Sequence, residues 1–467
     1  MSALLKEGEQ ATAGSPAQTG ISRDQFATGL GVLMATLGSA VGLGNIWKFP
    51  YLTGSNGGAA FIIIYLICTV LVGLPIMITE QMLGRKGRSD AVTSLKKLAP
   101  GQPWWLIGAG GILAAFLIMA FYTEVAGWVF AYIFKSASGS LLSTNPKVTS
   151  AAFTALVSDP VQSLVWQWIV LVVTGAIILL GVSKGIEGTT KRLMPILFLL
   201  LIIVGIRSLT LPGASQGLVF LFNPDFSKIT ASVVLAAMGL AFFKLSIGMG
   251  CMITYGGYFR DDQNIPVTAA RVVVADLAVS LLAGIAIFPA VFAFGFKPEA
   301  GASLLFITIP AVFASMPLGN VFMVVFFILT AIASIGAMLS LLEVIVAYLQ
   351  SGLNFSRKKA TLITIISLAV IGSTAALSNS TLSEVKLFGK TFFDLFDYIS
   401  SNLLLPIGGL FLAIFAGWVW GYPRFKEALS NQGSLKNEKV IRLIFIIVSF
   451  ITPVLVLIIL LGGLGLF

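Results

Sequence analysis

The sequence predicts an all-α polytopic membrane protein of eleven spans, the first and sixth of them discontinuous. Composition is one reason: 57% of the 467 residues are hydrophobic and only 10% are charged, a balance a soluble domain of this size does not carry. Glycine clusters at the centres of two apolar runs, five runs apart, are the other. The spans lie near 28–52, 58–83, 105–134, 164–183, 193–210, 230–258, 266–296, 318–350, 360–378, 392–421 and 441–465.

Basic residues fall in alternate connections and orient these runs. Arg23 precedes the first span; Arg85, Lys86, Arg88, Lys96 and Lys97 follow the second; Lys184, Lys191 and Arg192 follow the fourth. Arg260 and Arg271, then Arg357, Lys358 and Lys359, then Arg424, Lys426, Lys436 and Lys439 continue the series. The expectation is a multi-pass protein of the cell membrane with a cytoplasmic N-terminus and an extracellular C-terminus. The net charge of +10 follows from this asymmetry and gives no reason to invoke nucleic acid. Residues 1–22 read as a disordered cytoplasmic tail, and 23–467 as one domain. Cys68 and Cys251 fall inside spans, where a buried free thiol is the plain expectation.

Lys244 is the only charge in the sixth run, near mid-depth. A lysine there costs about 2.5–3.5 kcal/mol by insertion scales, so its retention implies a partner and a role. Asp276, the only acid in the seventh run, is the candidate partner. The plainer alternatives are a structural salt bridge or a lysine snorkelling to the interface, for which it stands far from either end.

The first span holds Gly38, Gly42 and Gly44; the sixth holds Gly248 and Gly250 just past Lys244. Either cluster alone reads equally as close helix packing through small residues. At matching places in two halves they point to interrupted helices whose freed backbone groups bind a ligand or ion.

The string GSAVGLGNIWKFP at 38–50 closely resembles the first span of the neurotransmitter:sodium symporter family, whose bacterial members include the leucine-transporter type. The likeness continues in NGGAAF at 56–61, Glu80, Tyr122, SKGIE at 183–187, FNPDF at 222–226, ITYGGYFRDDQN at 253–264 and SLLEV at 340–344. It implies a five-plus-five inverted-repeat, leucine-transporter-like fold working by alternating access. The repeats would cover about 23–210 and 228–421, with an extra helix at about 440–465.

Carried over by position, the family's substrate pocket becomes Ser39, Ala40, Leu43 and Gly44 of the first span, with Ile118 and Tyr122 of the third. Phe243, Ser246 and Met249 of the sixth and Ala337 and Leu341 of the eighth complete it. This is a small apolar chamber with aromatic lids, suited to a compact aromatic or aliphatic ligand. The family's first sodium site uses the Ala40 carbonyl, the Asn45 side chain, a hydroxyl in span 6 and an Asn or Asp in span 7. Here the hydroxyl position is Lys244 and the last is Asp276, so the resemblance implies an ammonium in place of the ion. The second site uses carbonyls of Gly38, Val41 and Ala333 and two hydroxyls, at positions that here are Gly336 and Ala337. Losing two of about five oxygen ligands leaves too weak a site for a hard cation. For the gates, the resemblance implies an outer Lys48–Asp397 pair and an inner one built from Arg23 and Tyr258, weakened because Ser351 replaces an acid and Phe26 a tryptophan.

The expected function is transport of a small hydrophobic or aromatic molecule, indole-like or an aromatic amino acid such as tryptophan, without sodium. A proton-linked amino-acid symporter or exchanger is the alternative, and a non-transporting substrate sensor is a second class, which counterflow in proteoliposomes would separate. Expected partners are the substrate and membrane lipid, with homodimer formation left open; no cofactor is expected. With no histidine, no nucleophile motif and no metal cluster, an enzyme is not expected.

Overall fold

The computed structural model describes residues 25–297 and 304–466; Arg23 and the 1–22 tail lie outside them. The described chain is helical, its one strand-like feature an isolated bridge between Leu387 and Lys390. Span 1 is Gly29–Ala40 and Gly44–Ser55, bent by 49°. Spans 2 to 5 are Ala59–Gly87, Trp105–Ala137, Pro160–Leu179 and Val182–Leu209. Span 6 comes in two pieces, Ala231–Lys244 and Cys251–Gly256. Spans 7 to 11 are Ile265–Ala293, Gly319–Ser351, Arg357–Asn379, Phe392–Leu429 and Glu438–Gly463. This is the eleven-span, five-plus-five arrangement, with the first helix of each set of five broken.

Each break has a local cause. The first helix ends at Val41, whose extended backbone leaves the helix while its amide still donates to Leu37. In span 6 the chain passes through positive φ at Ser246 (52°), Gly248 (78°) and Gly250 (75°), a conformation glycine adopts without a Cβ clash. The freed Gly248 amide donates to Glu80 Oε1 at 2.6 Å. A buried carboxylate thus replaces the lost intrahelical acceptor. Ser246 Oγ donates to the Ser39 carbonyl at 2.8 Å, tying the two breaks together.

Two spans run further than hydropathy predicts. Span 5 begins at Val182 rather than near 193, taking in Lys184, Glu187 and Lys191. Glu187 is buried there: it accepts from the Ala27 amide at 2.6 Å and the Thr28 hydroxyl at 3.1 Å, and pairs with Lys191 at 2.5 Å. Span 10 extends to Leu429 through the amphipathic segment Gly421–Leu429, whose Phe425 and Leu429 are buried. A hydropathy window registers neither the partnered, buried Glu187 of span 5 nor the buried apolar face of an amphipathic turn whose charges stay at the surface in span 10.

Candidate ligand and ion site

Spans 1, 3, 6 and 8 converge on an enclosed chamber. Its walls are Ser39, Ala40, Gly42 and Gly44, then Ile118 and Tyr122, then Phe243, Lys244, Ser246 and Met249, then Ala337 and Leu341. Of the pocket positions expected from the sequence, only Leu43 stays out. Its side chain is fully buried in the surrounding core, because the break at 41–43 turns its amide, not its side chain, toward Tyr122, whose hydroxyl accepts it at 2.9 Å. Gly42 lines the wall instead, where a Cβ would fall 2.8 Å from both Ala337 Cβ and Tyr122 Oη. The chamber measures about 20 Å3, on the scale of one water. An aromatic ligand therefore needs its walls to part.

The charged cluster lies beside this wall. Lys244 Nζ sits 2.9 Å from Asp276 Oδ2, with neither side chain exposed. It also donates to Tyr65 Oη at 2.9 Å and, through a very short bond, to Ser280 Oγ. The rings of Phe49 and Tyr65 stand 5.2 and 4.8 Å from it. Asn45 Nδ2 donates to Asp276 Oδ1 at 2.7 Å, to the Asp276 carbonyl at 3.1 Å and to Ser280 Oγ at 3.1 Å. Its amide oxygen accepts from Gly42, so Asn45 braces the aspartate and the break and does not ligate the ammonium. Three donors on Lys244 thus meet three oxygen acceptors, the condition for retaining a buried ammonium. Tyr65 and Ser280 were not among the expected residues; Ser280 follows Asp276 by one helical turn, a spacing that puts both on one face.

Where spans 1 and 8 touch, the backbones are in contact. A Cβ on Gly336 would fall 2.6 Å from the Gly38 carbonyl oxygen. The nearby hydroxyls of Ser334 and Ser340 donate along their own helix, to Ala331 and Ala337, and Ser340 Oγ also accepts from Ser39 Oγ at 2.8 Å. The oxygen set on span 8 is correspondingly poor for a hard cation.

The outer pair does not form. Lys48 lies in a π-helical turn, Gly44–Lys48, that carries its ammonium over the Phe243 ring, 4.1 Å from the centroid. Asp397 instead accepts from Ser401 Oγ at 2.7 Å. At the other end Tyr258 Oη donates to Glu343 Oε1 at 2.6 Å, and Arg357 binds the same carboxylate through both terminal nitrogens. Ser351 donates to Asp90 Oδ2 at 2.6 Å, and Phe26 packs edge-on against Tyr255 and Tyr258. An aromatic cluster, the Arg357–Glu343 ion pair and the hydrogen bonds of Tyr258 and Ser351 to carboxylates hold that end.

Two interrupted spans tied across a mid-depth chamber, within a bundle of apolar helices, define a membrane transporter. The family model described as the sodium:neurotransmitter symporter family matches residues 23–152 and 157–465. The chain belongs to this family. Its relatives include the uncharacterized sodium-dependent transporter YhdH of Bacillus subtilis, 41% identical over 94% of this chain and 98% of that one. They also include the sodium- and chloride-dependent GABA transporter 2 of Rattus norvegicus, 26% identical over 93% of this chain and 78% of that one. Among solved structures, MhsT in complex with L-phenylalanine matches with a TM-score of 0.87 at 43% identity, covering 94% of this chain and all of that one. These are transporters, and the chain is not an enzyme.

Proposed function

We propose that the protein carries a small aromatic or hydrophobic molecule across the cell membrane by alternating access and without sodium, Lys244 standing in for the first sodium ion. The observation that carries this reading is the Lys244–Asp276 pair at 2.9 Å with Tyr65 and Ser280 completing the ammonium's shell. Gly336 and Ala337, which bring no side-chain oxygen to the second site, support it. The relatives named as sodium-dependent make it a departure within the family, and it is tested directly. Ligand affinity and proteoliposome uptake are measured in sodium and in an inert organic cation. Equal values are expected; a loss of about tenfold without sodium, equivalent to about 1.4 kcal/mol, overturns the reading.

Phe243, Tyr122, Met249 and Leu341 favour a flat apolar ligand. The neighbour's L-phenylalanine supports the aromatic part of this assignment. The head group is a separate question. With Lys244 already neutralised by Asp276, a carboxylate would be desolvated against little more than first-span amides and the Tyr122 hydroxyl, so a neutral, indole-like molecule gains more. The neighbour's zwitterion favours a second reading, in which Lys244, itself part of the chamber wall, turns to the ligand carboxylate and Asp276 takes a proton. Competition binding separates them: indole outcompeting tryptophan supports the first, and the reverse order the second. On the basic-residue pattern, the ends of the spans near Lys86, Lys96 and Lys358 face the cytoplasm.

A further inference from the structure

Two adjoining cavities outside the chamber meet at Pro103. One, of about 330 Å3, is an apolar groove between spans 3 and 10, walled by Ile107 and Gly110 on one side and by Leu404, Ile407, Gly408 and Phe411 on the other. Ile407 and Phe411 are exposed on the bundle's outer face, so the groove opens toward lipid. The second, of about 510 Å3, lies at the turn at 100–102 leading into span 3 and is edged by Lys96 and Trp105. Lys96 and its neighbour Lys97 are both exposed. Lys96 Nζ stands 5.1 Å from the Trp105 ring centroid, and Lys97 donates to the Gly87 carbonyl at 3.3 Å. Neither has a carboxylate partner among the described residues, and no acid lines either cavity.

The inner faces of both walls press on the break in span 6. A Cβ on Gly248 would fall 2.6 Å from the Leu405 carbonyl oxygen, and one on Gly408 would fall 2.8 Å from the Gly248 carbonyl oxygen. On the other wall, a Cβ on Gly111 would fall 3.0 Å from the Gly250 amide nitrogen. The groove therefore sits directly behind the backbone that carries Ser246 and Met249 into the chamber. Close-packed backbone transmits displacement, because nothing compressible lies between.

We propose that the joined cavities bind one anionic phospholipid, its acyl chain in the groove between spans 3 and 10 and its phosphate against Lys96, within the positive field of Lys97, and that its presence restrains opening of the span 6 break. The chemistry at each end selects this occupant. The groove offers apolar surface, while the second cavity is edged by the exposed Lys96, which has no carboxylate partner among the described residues, with Lys97 adding a second positive charge beside it in the sequence. Juxtamembrane lysines of this kind attract anionic lipid.

The purified full chain in detergent is titrated with dioleoylphosphatidylglycerol or dioleoylphosphatidylcholine and read by native mass spectrometry, which needs no transport ligand and so stands apart from the substrate question. One phosphatidylglycerol is expected to be retained roughly tenfold better than phosphatidylcholine. K96Q/K97Q should abolish the preference, I407W should displace the bound lipid by filling the groove, and K358Q/K359Q, on another basic patch, should change nothing. Equal retention of the two lipids, or a preference that survives K96Q/K97Q, overturns the site. Hydrogen exchange across 246–251 should slow on adding phosphatidylglycerol to the wild type and not to I407W; unchanged exchange with lipid bound overturns the coupling.

Discussion

Lys244 and Asp276 form an ion pair that solvent does not reach, its amine and carboxylate 2.9 Å apart between spans 6 and 7. Breaking such a pair from one side leaves an uncompensated charge, which costs about 3–5 kcal/mol, whereas removing both ends costs far less. Lys244→Met should therefore lower the melting temperature in detergent more than Lys244→Met combined with Asp276→Asn. Equal melting of the single and double variants would show that the pair contributes no coupling.

Tyr65 and Ser280 complete the ammonium's shell. Tyr65→Phe removes one acceptor while keeping the ring beneath the cation, so a loss of about 1–3 kcal/mol is expected. In the Lys244→Met/Asp276→Asn background the same change should be nearly silent. Thermal melting of the four proteins checks it, and an undiminished effect in the double background would assign Tyr65 a purely packing role.

Gly336 has no room for a side chain, since its Cβ position falls 2.6 Å from the Gly38 carbonyl oxygen. Gly336→Ala should destabilise by about 1–3 kcal/mol through overpacking, and Gly336→Ser should do no better and should not install sodium dependence. A serine variant of wild-type stability with sodium-stimulated binding would contradict the close contact of spans 1 and 8.

Lys48 covers Phe243 and leaves Asp397 to Ser401. Lys48→Met should then speed ligand release by a fewfold, in line with about 0.5–2 kcal/mol for a cation over an aromatic face. Asp397→Asn should leave release unchanged. Equal acceleration by both would mean that the two close the chamber as a pair once ligand is bound.

The fold and the charged centre were legible for one shared reason. Each departs from the apolar background in a way that points to a role: a lysine at mid-depth is expensive in a membrane helix, and glycine clusters at matching places in two halves mark interrupted helices. The same logic fails for Tyr65 and Ser280, since hydroxyls in a span are inexpensive when a neighbour accepts or donates. It fails for the start of span 5, where the buried Glu187 reads as an interfacial charge until Ala27, Thr28 and Lys191 are seen around it. The Lys48–Asp397 expectation missed because the path of the chain, here a π-helical turn at Gly44–Lys48, decides where a long side chain reaches.

A charge fixed to the polypeptide does no osmotic work. A mobile monovalent cation descending the membrane potential releases about 2.3 kcal/mol per 100 mV, whereas Lys244, covalently held and matched by Asp276, crosses no field and is never discharged to the other side. A carrier built on that pair and loaded with an uncharged solute would level the solute's concentrations across the membrane, indifferent to voltage, and would pump nothing uphill. It would serve as a relief valve, running in whichever direction its cargo is more abundant.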